Sequence, residues 1–132
     1  MTETEYSMII PVRNEEAAID GVINGVKKTL NTLECYYEII VIDNVSTDKT
    51  VDIVKEHSDV RLIQHESDKG YGGSIKEGVK VANSDNIITI DGDGTYPAED
   101  IPKLVSYIEQ YDLVCGARVG KDVSISLIRR FG

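Results

Sequence analysis

A chain of 132 residues is the size of one domain, and a makeup of 41% hydrophobic and 28% charged residues excludes a disordered or fibrous polypeptide. A formal charge of −9 excludes general binding to nucleic-acid backbones, which need a basic face. The charge is uneven: Arg118, Lys121, Arg129 and Arg130 against Asp122 give residues 118–132 a net +3, leaving −12 on the first 117. Cys35 and Cys115 form no C-x-x-C pair and have no zinc spacing, which points to free thiols in a reducing compartment. Met1 to Glu5 is acidic where a secretory leader is basic, and no apolar run is long enough to cross a bilayer; the expected location is cytoplasmic.

In chain order, apolar runs alternate with helical periods. Tyr6 to Val12 reads as a first strand, halted by Pro11 and the polar Arg13-Asn14-Glu15-Glu16. Ile19, Val22, Ile23, Val26, Leu30 and Leu33 then recur at the spacing of one helical face. Glu38 to Asp43 is a nearly continuous apolar strand ending in a carboxylate, after which Ser46 or Asp48 caps a helix running to about His57. Val60 to Gln64 is a third strand, and the Gly-rich Asp68 to Gly73 opens a helix carrying Ile75, Val79 and Ala82. Asn86 to Ile90 is a fourth strand, stopping at Asp91-Gly92-Asp93. A helix with Ile101, Leu104, Val105 and Ile108 and a fifth strand from Asp112 to Ala117 follow. Strict alternation of this kind predicts an α/β fold, a mainly parallel sheet with helices on both faces. Right-handed helical crossovers leave few orders for strands one to four, and 3-2-1-4 is the one expected.

In such a sheet, ligands bind beyond the carboxyl ends of the strands, where strand order reverses. Pro11 to Glu15, Asp43, the Gly70 loop and the Asp91/Asp93 pair all follow strand ends, so four polar features converge on one edge. Each has a plain structural alternative: a strand stop, a loop hydrogen bond, a turn. Two carboxylates at i and i+2 also suit Mg²⁺ or Mn²⁺, hard cations that keep water and bridge to a diphosphate.

Five stretches together resemble a family 2 glycosyltransferase of the GT-A (Rossmann-like) fold, and among these the dolichyl- or polyprenyl-phosphate sugar synthases. They are Ile10 to Glu16, Val41 to Thr50, the Gly70 loop, Asp91-Gly92-Asp93 and Cys115 to Arg118. The resemblance implies transfer of a sugar from a nucleoside-diphosphate sugar to an acceptor, with a polyprenyl phosphate at the cytoplasmic face of a membrane among the acceptors. It implies that Pro11, Arg13, Glu15 and Asp43 line the nucleoside pocket, that Lys69 and Gly70 lie near the donor, and that Asp91 and Asp93 form the catalytic metal motif. Arg118 is expected on the acceptor side. Position 13 is often aromatic in that family, so Arg13 either stacks on the base or is a surface charge. Asn44 stands where a second aspartate is common. Residues 1–117 are expected to form the nucleotide-sugar-binding domain and residues 118–132 a basic tail opening an acceptor or membrane-proximal region that the chain lacks.

Two other readings use the same residues. Asp91-Gly92-Asp93-Gly94-Thr95 matches the nucleophile loop of haloacid-dehalogenase-like phosphatases, although that loop normally follows the first strand and here follows the fourth. A chain that binds a nucleotide sugar without turning it over is the non-enzymatic alternative. A calcium EF-hand fails, because its sixth position is Tyr96 and its twelfth is Pro102.

Overall fold

A computed structural model describes residues 3–117 and 125–130, of which the backbone alone is considered for Ala117 and for 125–130. Strands β1 (Tyr6–Val12), β2 (Tyr37–Asp43), β3 (Val60–Gln64) and β4 (Asn86–Thr89) lie parallel in the expected order β3-β2-β1-β4. Helices α1 (Ile19–Thr32), α2 (Thr50–Lys55) and α3 (Gly70–Val81) make the crossovers. A 3-10 turn at Ala98–Asp100 leads into α4 (Ile101–Val105), then β5 (Leu113–Ala117) and β6 (Ile125–Arg130).

Side-chain alternation divides the core in two. Met8, Ile10 and Val12 of β1, Ile39 and Val41 of β2 and Ile88 of β4 turn to one face. There they meet the apolar stripe of α1 (Ile19, Val22, Ile23, Val26, Leu30), Val54 of α2 and Ile101 of α4. Ile9, Ile40, Ile42 and Ile87 turn to the other face, which α3 covers with Ile75 and Val79. Among the described residues both faces carry helices, unequally: α1, α2 and α4 on one, α3 on the other. Gly78 allows the close approach of α3, since a Cβ there would stand 2.6 Å from Ile9 Cγ2.

The fifth strand forms where expected but not beside β4. Residues 125–130, expected in a separate tail, run as β6 between β4 and β5, antiparallel to both, so the sheet continues β4-β6-β5. Arg129 and Arg130 are therefore sheet positions paired with Ile87 and Asn86 of β4. Arg118 and the rest of 118–124 lie outside the described residues, and with them the expected acceptor contact. No helix among the described residues is long and apolar enough to cross a membrane.

Successive connections leave β1 in opposite directions, toward β2 on one side and β4 on the other, so the topological switch lies between β1 and β4. Pairing of β1 with β4 ends at Ile9↔Thr89, while its pairing with β2 continues to Val12↔Asp43. Pro11 sits on β1 beyond the last β4 partner, where its missing N–H leaves no ladder bond unmade. The sheet opens there.

Candidate active site

A cleft of about 380 Å³ occupies that opening. Its walls are Pro11, Val12, Arg13 and Glu15 from the end of β1, Asn44 after β2, Asp68, Gly70, Tyr71 and Ser74 at the start of α3, and Asp91, Gly92 and Asp93 after β4. Four loops from four strand ends thus meet, and six of the expected site residues line one cavity.

The β1–α1 and β2–α2 loops are fastened to each other. Asn14 Oδ1 accepts from Thr47 N–H at 2.7 Å, and Asn14 N–H donates to Ser46 Oγ at 2.8 Å. Glu15 N–H donates to Thr50 Oγ1 at 2.8 Å, and Glu16 Oε2 accepts from Lys49 N–H at 3.0 Å. Asp48, expected to cap α2, accepts from Thr50 N–H at 2.9 Å and from Glu16 N–H at 3.2 Å. Asn14 and Val45 stand at φ 52° and 63°. For a β-branched residue that is an outlier held by its surroundings, of a kind concentrated at functional sites.

Asp43 lies one residue before the cleft wall, 3% exposed. One oxygen, Oδ2, accepts from Ser46 N–H at 3.2 Å; the other, Oδ1, is buried with no hydrogen-bond partner. A buried carboxylate oxygen without a donor is costly, and it marks a place where a ligand N–H would be well received. Lys69 contributes its backbone, donating N–H to Asn44 Oδ1 at 2.9 Å; its side chain is not among the lining groups.

Arg13 does not stand free. Its Nη1 is 2.7 Å from Asp68 Oδ2, while Asp68 Oδ1 accepts from Asn44 Nδ2 and from Gly70 N–H, each at 2.8 Å. The departure at position 44 now has a physical reason: an amide there donates to Asp68, where a carboxylate would repel it. The bond from Asn44, that from Gly70 N–H and the one from Arg13 hold the Asp68 carboxyl below its usual range. Asp68 and Asn44 were not singled out as binding residues from the sequence, because loop-to-loop hydrogen bonds leave no periodic trace.

At the far end, Gly92 lets the Asp91–Asp93 turn press on β1: a Cβ there would stand 2.4 Å from Val12 Cγ1. Asp93 Oδ1 accepts from Thr95 N–H at 3.0 Å and from Thr95 Oγ1 at 2.6 Å, both on one oxygen. Burial pushes the Asp91 carboxyl up and the charge of Asp93 adds to this, against a hydrogen bond from Tyr71 that lowers it. Burial, then the charge of and the hydrogen bond to Asp91, raises the Tyr71 hydroxyl in turn. Glu15 is also raised, by burial and then by Asp93, Asp48 and Asp91. Tyr71 belongs to the Gly-rich stretch, but its contact with Asp91 could not be read from spacing.

Among the described residues no three His, Cys, Asp or Glu groups gather closely enough to hold an ion by themselves. Asp91 and Asp93 fit a cation of the Mg²⁺ or Mn²⁺ kind nonetheless, because such ions take one or two protein carboxylates and complete their shell with water and substrate phosphate.

Known proteins resemble this chain in sequence and in fold. The chain is 34% identical over 114 residues to an undecaprenyl-phosphate 4-deoxy-4-formamido-L-arabinose transferase of Aeromonas hydrophila, covering 82% of the chain and 35% of the relative. It is 33% identical over 121 residues to a dolichol-phosphate mannosyltransferase of Pyrococcus furiosus, covering 89% of the chain and 34% of the relative. The chain therefore spans about a third of the length of these relatives. Among solved structures, glucosyl-3-phosphoglycerate synthase of Mycobacterium tuberculosis, in complex with Mn²⁺, uridine diphosphate and phosphoglyceric acid, superposes with a TM-score of 0.69 at 26% identity. That match covers 83% of this chain and 42% of the other. A mannosyltransferase of Pyrobaculum calidifontis superposes with a TM-score of 0.71 at 20% identity over 85% of this chain and 34% of its own, which supports the GT-A fold. The model of "Glycosyl transferase family 2" matches residues 7–131, and the chain belongs to that family.

Proposed function

We propose that this chain is the donor-binding part of a glycosyltransferase that moves a sugar from a nucleoside-diphosphate sugar to a polyprenyl phosphate, with Mg²⁺ or Mn²⁺. The observation that carries the reading is the meeting of Asp91 and Asp93 with Arg13, Glu15 and Asn44 in one cleft at the switch between β1 and β4. The named relatives act on undecaprenyl and dolichol phosphates, and the mycobacterial structure holds a nucleoside diphosphate with Mn²⁺.

In this reading Asp43 serves the nucleoside. Its unpartnered Oδ1 accepts a ring N–H of the base, and Pro11 and Val12 give the base an apolar wall. Asp91 and Asp93 serve the diphosphate end. The hydrogen bonds from Thr95 fix the Asp93 carboxylate by one oxygen and leave the other for the cation. A divalent ion held there supplies Lewis-acid stabilisation of the charge that develops on the leaving diphosphate.

Acceptor chemistry limits what else the site must contain. When a polyprenyl phosphate oxygen attacks the sugar C1, the bond from C1 to the diphosphate oxygen breaks and its electron pair leaves with the diphosphate. With a second pKa of about 6, the phosphate is already an anionic nucleophile near neutral pH, so no base need remove a proton. A hydroxyl acceptor would need one. Such an acceptor also fits action at the cytoplasmic face of a membrane, with Arg118 on the acceptor side.

A thermal-shift panel of uridine- and guanosine-diphosphate sugars, with and without Mn²⁺, tests the donor site, because a ligand bound to the folded state raises its stability by mass action. The expected result is a cation-dependent rise with sugars of one of the two nucleotides. No shift with any of them would overturn the reading, and phosphate release from a generic monoester would favour the phosphatase alternative.

A further inference from the structure

Charge in the cleft is lopsided. Among the described residues that line it, Arg13 is the one cation, alongside the carboxylates of Glu15, Asp68, Asp91 and Asp93. A nucleoside diphosphate is itself strongly anionic, so without a divalent ion it enters a cavity of its own sign. Arg13 would be the natural counter-charge, yet its guanidinium is already 2.7 Å from Asp68 Oδ2. Asp68 is placed for this by three loops: Asn44 Nδ2 and Gly70 N–H both bind its other oxygen at 2.8 Å, while Arg13 closes on Oδ2. The carboxylate thus already occupies an anion-binding set made of a guanidinium, a side-chain amide and a backbone N–H.

We infer that Asp68 is a specificity-determining residue that neutralises Arg13 and so makes nucleotide binding conditional on a divalent cation. The inference rests on the donor-site reading above and goes beyond it, in that it assigns the metal requirement partly to a residue outside the aspartate pair. With Asp68 charged, the described lining of the cleft offers a nucleoside diphosphate no uncompensated positive group, and a cation at Asp91 and Asp93 becomes the main attraction. Remove that charge and Arg13 is released to the ligand. A merely structural Asp68 predicts the opposite sign, because loosening three cleft loops would weaken binding whatever the metal.

Asp68→Asn separates the two. An asparagine oxygen still accepts from Asn44 and Gly70, so the loops stay joined while the charge on Arg13 is lifted. Binding of uridine and guanosine diphosphate is measured by calorimetry in EDTA and in Mn²⁺, on wild type and variant. Asp68→Asn should bind the preferred nucleotide on the order of three- to tenfold more tightly in EDTA, the scale of one solvent-screened charge contact, and the gap between EDTA and Mn²⁺ should narrow. Adding Arg13→Gln to Asp68→Asn should cancel the gain, and Arg13→Gln alone, which leaves Asp68 uncompensated, should widen the gap. Equal, weaker or undetectable binding by Asp68→Asn in EDTA overturns the inference, as does an unchanged gap in Arg13→Gln, while Mn²⁺-dependent binding by wild type leaves the donor site standing. If wild type binds neither nucleotide even with Mn²⁺, the donor-site reading falls and this inference with it.

Discussion

Asn14 Oδ1 and the backbone N–H of Thr47 lie 2.7 Å apart, and that bond crosses from the loop after β1 to the loop after β2. Asn14 also holds φ at 52°, a conformation asparagine tolerates better than other residues with a Cβ. Asn14→Ala should therefore lose both a hydrogen bond and conformational compatibility, together about 2 kcal/mol. Asn14→Gly loses the bond but accepts the backbone, so it should be more stable than Asn14→Ala by about 1 kcal/mol. Urea denaturation of the two variants checks the order; equal stabilities would mean that the positive φ carries no strain.

Much of this architecture was legible because the physics that sets it is periodic. The α1 stripe from Ile19 to Leu30 and the continuous apolar run Ile39 to Ile42 each admit one reading, and right-handed crossovers leave few orders besides β3-β2-β1-β4. The same logic placed Pro11, Glu15, Asp91 and Asp93 at one edge. β6 was not legible: Ile125, Leu127 and Ile128 beside Arg129 and Arg130 lack strict alternation, and insertion between β4 and β5 depends on distant pairing. Nor could the ties of Asn44 and Asp68 be read, since they join loops 24 residues apart through single hydrogen bonds.

Gly92→Ala tests whether the Asp91–Asp93 turn must press on β1. The added Cβ would fall 2.4 Å from Val12 Cγ1 and 3.4 Å from both Ile19 Cδ1 and the Pro11 carbonyl oxygen, so the turn or the strand end must shift. Overpacking of this kind costs about 1–3 kcal/mol. Because Asp91 and Asp93 flank the shifted residue, Mn²⁺-dependent nucleotide affinity should fall along with the melting temperature. Val12→Ala added to Gly92→Ala should recover part of both, and failure to recover either would place the cost elsewhere.

Glu38 ties the opposite end of the sheet. Its carboxylate accepts from Ser7 Oγ at 2.6 Å, Asn83 N–H at 2.6 Å and Arg61 Nη1 at 3.0 Å, joining β1, β3 and the end of α3 through β2. Burial raises its pKa, but the bonds from Ser7, Asn83 and Arg61 outweigh it, and the net shift is below the ordinary 4.5. A depressed folded-state pKa means that the unfolded chain takes up the proton first. The stabilisation is therefore complete above about the ordinary value and is lost as pH falls through the lower folded one. Glu38→Gln should cost about 1–3 kcal/mol at pH 7 and progressively less on acidification, as thermal melts of both proteins across pH 3–7 would show. A deficit constant over that range would assign the effect to packing.

Asp91 has the reverse sign, and this bears on whether the Asp91/Asp93 pair exists for a ligand. Burial and Asp93 raise its folded-state pKa against the bond from Tyr71, so between its ordinary pKa and the raised one the native state holds more protons than the unfolded chain. Stability contributed at this position is then largest at acid pH and declines as pH rises through that window, leaving the ionised carboxylate a net burden at neutrality. Asp91→Asn should accordingly raise the melting temperature at pH 7 without ligand and flatten its decline above pH 4. In the same variant the stabilisation by nucleoside diphosphate plus Mn²⁺ should disappear, since a neutral amide holds a hard cation poorly. A residue that weakens the empty fold and strengthens the loaded one is what a binding site requires and a strand-end turn does not. If Asp91→Asn instead lowers stability at every pH and keeps the Mn²⁺ effect, the carboxylate is structural and the cation is held elsewhere.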